Sequence, residues 1–201
     1  TWEGDGVAGR QIAHDMNKIS EMMWVKSRSH STSWHVYHKG LNSGVNPEDY
    51  YLQLQDADGE STTNRWDNTA PTSTNFTVGN ANAVNASNRD YIAMLFASVD
   101  GISKVGSYTG NGSTTGPVIT TGFAPRLIMI KRSSGDGDWY ILDTVRGLTS
   151  SSNKLLKLND DDAQSTPSSV YVEPSSTGFQ LKVGYLHYNF NNEKYIYYAH
   201  A

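Results

Sequence analysis

Apolar residues along this chain come in short runs separated by Gly, Ser, Thr, Asn and Asp, the pattern of strands and turns. Met22-Met23-Trp24-Val25 is contiguous and apolar, which predicts a strand over residues 21–27 covered on both faces. In Trp34-His35-Val36-Tyr37 a period of two places Trp34 and Val36 on one face and His35 and Tyr37 on the other. Further strands are expected at residues 50–54, 75–78, 90–97, 117–121, 126–131, 139–142, 154–158, 170–173, 178–182 and 194–201, with weaker alternation at 11–16. Pro47-Glu48-Asp49 suits a single helical turn, and Asp56-Ala57-Asp58-Gly59 a tight turn. Such a series reads as all-β, with antiparallel sandwich packing of the jelly-roll or lectin-like kind.

The pattern occurs twice. Glu21-Met22-Met23-Trp24-Val25-Lys26 leads through a polar turn to Trp34, Val36 and Gly40-Leu41. About a hundred residues on, Leu127-Ile128-Met129-Ile130-Lys131 leads to Trp139, Ile141 and Gly147-Leu148. The flanks agree in order: Trp2-Glu3-Gly4-Asp5-Gly6 with Tyr108-Thr109-Gly110-Asn111-Gly112, Ser61-Thr62 with Ser165-Thr166, Phe76 with Phe179, and Tyr91-Ile92 with Tyr195-Ile196. A period this long indicates a duplicated domain, not a solenoid unit. Two tandem modules are expected, 1–103 and 104–201, joined between Ser98 and Ser107.

Composition narrows the partners. Formal net charge is −4, without the clustered Lys and Arg of a nucleic-acid footprint. The absence of cysteine removes disulfides, thiolate metal sites and thiol nucleophiles, and fits assembly in a reducing cytoplasm. No apolar run approaches the roughly twenty residues of a membrane helix, so no membrane insertion by helices is expected. The chain starts at Thr1, as a fragment or processed piece would.

Ser103-Lys104-Val105-Gly106-Ser107-Tyr108-Thr109-Gly110-Asn111-Gly112, then Thr121-Gly122-Phe123-Ala124-Pro125 and Met129-Ile130-Lys131-Arg132, resemble a repeated domain of tailed-phage structural proteins. That domain is familiar in tail-fibre or appendage proteins of marine phages, cyanophages included. Residues 22–26, 34–38 and 91–97 are similar to the same family's first copy. The resemblance implies a component of the virion surface, assembled in the host cytoplasm and engaged in host attachment. Its implied partners are other virion subunits, including copies of itself, and a host-surface glycan. It supplies no catalytic motif. A capsid decoration or head-fibre protein and a polysaccharide depolymerase are the rival expectations. The second copy departs at Tyr185-Leu186-His187-Tyr188-Asn189-Phe190, which is more aromatic than a plain polar connection, and at His200, which stands where the first copy has Phe96.

Candidate chemistry is sparse. His35 and His38 point to opposite faces of a strand and cannot share a metal, so a solvated strand face is expected for them. Asn159-Asp160-Asp161-Asp162 lacks the turn glycine and further oxygens of a calcium loop and reads as an acidic surface turn. No carboxylate pair, nucleophile elbow or phosphate loop is present, so no catalytic residue, metal or cofactor is expected. Aromatics are the better lead, because sugars stack on their faces. Aromatics shared by both copies are expected in the core: Trp34 and Trp139, Phe76 and Phe179, Tyr91 and Tyr195. Those present in one copy only, Trp24, Trp66, Tyr185 and Tyr188, are free for other work, first a contact with another subunit and second a glycan pocket. Trp66, Tyr185 and Tyr188 are the candidate ligand contacts.

Overall fold

The computed structural model describes residues 1–201, which form sixteen strands and two short 3-10 turns, Leu41–Gly44 and Pro47–Asp49. The chain divides into two compact units, Thr1–Gln55 with Glu60–Ala97, and Asp56–Gly59 with Ser98–Ala201. The first unit holds β1 (Trp2–Glu3), β2 (Arg10–Ala13), β3 (Met22–Ser27), β4 (His35–His38), β5 (Tyr50–Gln53), β6 (Ser61–Thr62), β7 (Asn75–Val78) and β8 (Asp90–Phe96). The second holds β9 (Ser103–Thr109), β10 (Val118–Thr120), β11 (Leu127–Arg132), β12 (Tyr140–Asp143), β13 (Leu156–Lys157), β14 (Val172–Ser175), β15 (Gly178–Leu181) and β16 (Lys194–His200).

Every strand pairing is antiparallel. In the first unit a sheet ordered β1-β8-β3-β4-β5-β6 faces the pair β2-β7; in the second, β9-β16-β11-β12-β13 faces β10-β15-β14. Each core draws side chains from both of its sheets: Met23, Val25 and Tyr91 with Ile12, Phe76 and Val78, and Ile128, Ile130 and Tyr195 with Ile119, Phe179 and Leu181. That is sandwich packing.

Registers agree position by position. Met22 faces Phe96 and Met23 faces Tyr37; correspondingly, Leu127 faces His200 and Ile128 faces Leu142. Trp2 opposite Tyr91 has its like in Tyr108 opposite Tyr195, and Ile12 opposite Phe76 in Ile119 opposite Phe179. The stretch read from sequence as the joint, Ser98 to Ser107, contains most of a strand, since β9 pairs with β16 from Ser103 to Thr109. Its buried positions, Ser103, Val105 and Tyr108, break strict alternation, which hid the strand.

One device recurs in both units. Tyr91 Oη donates to the Asn82 carbonyl and accepts from Ala86 N–H; Tyr195 Oη does the same with Leu186 and Phe190. The loop so held carries a fully buried asparagine, Asn85 or Asn189. Asn85 Nδ2 donates to Asp5 Oδ1 and the Val7 carbonyl, and Asn189 Nδ2 to Asn111 Oδ1 and the Ser113 carbonyl. A Cβ at Gly4 would lie 2.1 Å from the Ala86 oxygen and one at Gly110 2.2 Å from the Phe190 oxygen, so both glycines are required by close approach. Asn85→Ala and Asn189→Ala are each expected to cost about 1–3 kcal/mol, because a buried polar partner set is left unsatisfied. Urea denaturation of each variant against the parent measures this; an unchanged midpoint in both would mean the clasp is dispensable.

The aromatic sorting holds for most positions. Phe76, Phe179, Tyr91 and Tyr195 are buried, and Trp139 is 1% exposed. Trp34 departs from expectation: it is half-buried, although Trp34 and Trp139 carbonyls accept equivalent bonds from Leu54 and Leu158 N–H. Both sit just before β4 and β12. His35 and His38, expected on a solvated face, are buried, because β4 is covered on both sides along its whole length.

Candidate functional site

A cleft of about 410 Å³ opens in the second unit, lined by Tyr140, Leu155, Lys157, Ser165, Thr166, Pro167, Tyr171, Tyr185, His187 and Tyr188. Strand β12 supplies Tyr140 and β13 supplies Lys157, while a bridge between Leu155 and Ser165 fixes the loop that follows. The aromatic connection before β16 supplies the opposite wall. It turns sharply, with Tyr188 and Asn189 N–H both donating to the Tyr185 carbonyl, and Tyr108 Oη donates to the Tyr188 carbonyl at 2.6 Å.

The rings meet at an angle, edge to face around Tyr171 and tilted by 38° between Tyr140 and Tyr188. Tyr171 meets Tyr185 at 5.5 Å and 83° and Tyr188 at 5.3 Å and 63°, while Tyr140 lies 4.8 Å from Tyr188. Such contacts hold the rings without stacking them flat. Tyr185 is 55% exposed and Tyr188 only 2%. The Tyr188 hydroxyl and His187 Nδ1 are buried and have no hydrogen-bond partner in the protein. Burial pushes the Tyr188 phenol well above its ordinary value and lowers that of His187, so both are neutral at pH 7.

Charge collects on one side. Lys157 Nζ lies 2.9 Å from Asp162, 3.1 Å from Asp160 and 3.4 Å from Asp138, so one ammonium faces three carboxylates. Asp162 first, then Asp160, hold the Lys157 ammonium above its usual range. Tyr140 Oη donates to Asp138 Oδ2 at 3.1 Å, and Asn159 Nδ2 donates to Asp138 Oδ1 at 2.8 Å. Burial raises the Asp138 pKa, but the Asn159, Tyr140 and Lys157 contacts outweigh it and the net shift is downward. The acidic run read from sequence thus serves as a clamp on Lys157.

The corresponding place in the first unit is filled. Its β4 and β5 set His35 where the second unit has Tyr140, and Tyr51 where it has Leu155. Arg65 lies over the Tyr51 ring at 4.7 Å, and its Nε–H donates to His35 Nδ1 at 3.3 Å. At the matching point the second unit has Tyr171, whose carbonyl accepts from Lys182 N–H as the Arg65 carbonyl accepts from Gly79 N–H. A more open hollow in the first unit, lined by Asp49, Tyr50, Thr62, Thr63, Asn64 and Asn68, has one aromatic only.

Two of the three candidate ligand contacts, Tyr185 and Tyr188, therefore come together, and Trp66 does not join them. Trp66 is fully buried, edge-on to Tyr37 at 6.2 Å, with Nε1–H donating to the Tyr50 carbonyl at 3.0 Å. A ring in that position fills the first unit's core and cannot stack on a ligand. Presence in one copy only marked a difference in core volume as readily as a binding residue. Sequence reasoning missed Tyr140, Tyr171 and His187; the aromatic density from Tyr185 to Phe190 was the one signal that pointed there.

Lys131 is the other unusual group. It is fully buried, its Nζ donating to the Ala57 and Gly137 carbonyls. Burial brings its pKa down to about 8, against the raising influence of Asp56, Asp136, Asp138 and Asp58. Enclosed in this way it acts as a structural tie, as does its counterpart Lys26 on the Thr32 carbonyl.

A family model described as Domain of unknown function (DUF7483) matches residues 1–201. The chain belongs to the DUF7483 family. Neither a curated protein nor a solved structure matches it. For this DUF7483 domain, the cleft geometry and the sequence resemblance carry the functional argument.

Proposed function

We propose that the protein is a non-enzymatic module of a phage virion appendage that contacts other virion subunits and binds a host-surface saccharide through the tyrosine-lined cleft of its second unit. The observation that carries this reading is the cleft itself: four tyrosines, one of them largely exposed, around a buried hydroxyl that no protein group satisfies. Saccharides match such a site, since their C–H faces lie on aromatic rings and their hydroxyls supply hydrogen bonds. The phage setting rests on the sequence resemblance.

A shallow site of this size holds a monosaccharide in about the millimolar range, near −4 kcal/mol. Many copies on one fibre make later contacts intramolecular, with avidity gains of about 10²–10⁴. The test compares monomeric and bead-displayed protein on bacterial cells and on isolated capsids. Display is expected to convert negligible into stable cell adsorption, and Tyr185→Ala to abolish most of it with an unchanged melting temperature, because the ring is exposed. Adsorption to capsids alone would move the protein to the decoration class. Release of reducing sugar from surface polysaccharide would make it a depolymerase.

A further inference from the structure

We infer that the second unit's cleft selects a neutral N-acetylated sugar, with the acetamido group seated among the tyrosines. This rests on the saccharide reading above and names the class of sugar. The turn that builds one wall of the cleft occurs in both units. Val84 and Asn85 N–H donate to the Ala81 carbonyl in the first, as Tyr188 and Asn189 N–H donate to the Tyr185 carbonyl in the second. The backbone bonds agree and the side chains do not: Ala81, Ala83 and Val84 stand where the second unit has Tyr185, His187 and Tyr188. Val84 is completely buried, so an aliphatic side chain closes the core at that place. Tyr188 fills it as well but adds a hydroxyl, and His187 adds an Nδ1, both buried and both without a hydrogen-bond partner in the protein. Buried polar atoms left in this state lower the stability of the free protein. A ligand that supplies their bonds restores it.

Three features of the cleft point to this class. The Tyr188 hydroxyl donates, and Nδ1 of a neutral His187 protonated on Nε2 accepts. Together they complement one C=O and one N–H, which a secondary amide carries side by side. The lining is otherwise largely apolar, with Leu155 and Pro167 beside the tyrosines. An acetyl methyl gains by burial there, whereas the hydroxyls of a plain hexose would lose water without finding enough partners. The exposed Ser165 and Thr166 remain for the sugar ring. Finally, the one charged group in the lining is the Lys157 ammonium, which Asp162, Asp160 and Asp138 already engage at 2.9, 3.1 and 3.4 Å. An acidic sugar would compete with those three carboxylates, and an amino sugar would bring its charge against the ammonium. An uncharged ligand meets neither obstacle.

The experiment titrates the intact chain by nuclear magnetic resonance with N-acetylglucosamine, glucose and glucosamine, and records which ligand protons receive saturation from the protein. N-acetylglucosamine is expected to bind about fivefold or more tightly than either of the others, with the strongest saturation at its acetyl methyl. Tyr185→Ala should weaken that binding about tenfold with the melting temperature unchanged. Tyr188→Phe keeps the ring and removes only the hydroxyl. It is expected to erase most of the preference for N-acetylglucosamine over glucose while melting no lower than the parent, because an unsatisfied buried group has gone. A lowered melting temperature with the preference intact would assign the hydroxyl to the fold and overturn the inference. Equal binding of glucose and N-acetylglucosamine, weakened in Tyr185→Ala, would also overturn it and leave the saccharide reading standing. Binding of none of the three would overturn both.

Discussion

Trp66→Ala is expected to unfold the first unit or to remove about 3–5 kcal/mol from its stability. The ring is completely buried, meets Tyr37 edge-on and satisfies the Tyr50 carbonyl, so truncation opens a cavity and strands an acceptor together. Against a total of roughly 5–15 kcal/mol for a domain, the loss is large. Trp139→Ala, at 1% exposure, should do the same to the second unit, whereas Trp34→Ala, at a half-buried ring, should cost clearly less. Guanidinium denaturation followed by circular dichroism ranks the three. A Trp66→Ala protein with the parent's midpoint would return this residue to the list of ligand contacts.

Acidification is expected to destabilise the first unit through His35. Burial, and secondarily the Arg65 charge, lower its pKa from 6.5 to about 4. The folded state therefore binds fewer protons than the unfolded one between those values, so the His35 contribution is fully present above about pH 6.5 and is lost as pH falls toward 4. The difference corresponds to roughly 3 kcal/mol. The structural cause is plain: neutral His35 Nδ1 accepts from Arg65 Nε–H, and a protonated ring would offer a second cation in its place. His187, lowered in the same direction by burial, adds the same sign in the second unit. Stability measured from pH 7 to pH 4 should fall more steeply in the parent than in His35→Gln, whose amide oxygen can still accept from Arg65. Parallel curves for the two proteins would remove His35 as the cause.

Much of the architecture was legible without coordinates. Strand identity followed from apolar runs and alternation, and the residues matched in order lie opposite one another in like pairs, Trp2 with Tyr91 and Tyr108 with Tyr195, Ile12 with Phe76 and Ile119 with Phe179. The candidate site was legible only in part. Tyr185 and Tyr188 were singled out because the second copy departs there, yet the same argument picked Trp66, which belongs to the core. Period and composition report which residues face a sheet or leave it; they do not report which neighbouring loop lies over that face.

The sequence alone determined the all-β class, the sites of most strands and the chemistry absent from the chain, because backbone period and residue type act locally. Tertiary structure decided exposure and company. His35 and His38 share a strand pattern that would suit solvent, but loops and neighbouring strands cover both faces of β4. Five strands of the larger sheets follow one order in the two units, yet the side chains over them differ: Arg65 lies across Tyr51 in the first, whereas Tyr171 holds that place in the second and lines an open cleft. That outcome depends on contacts between residues distant in sequence, which no local pattern encodes.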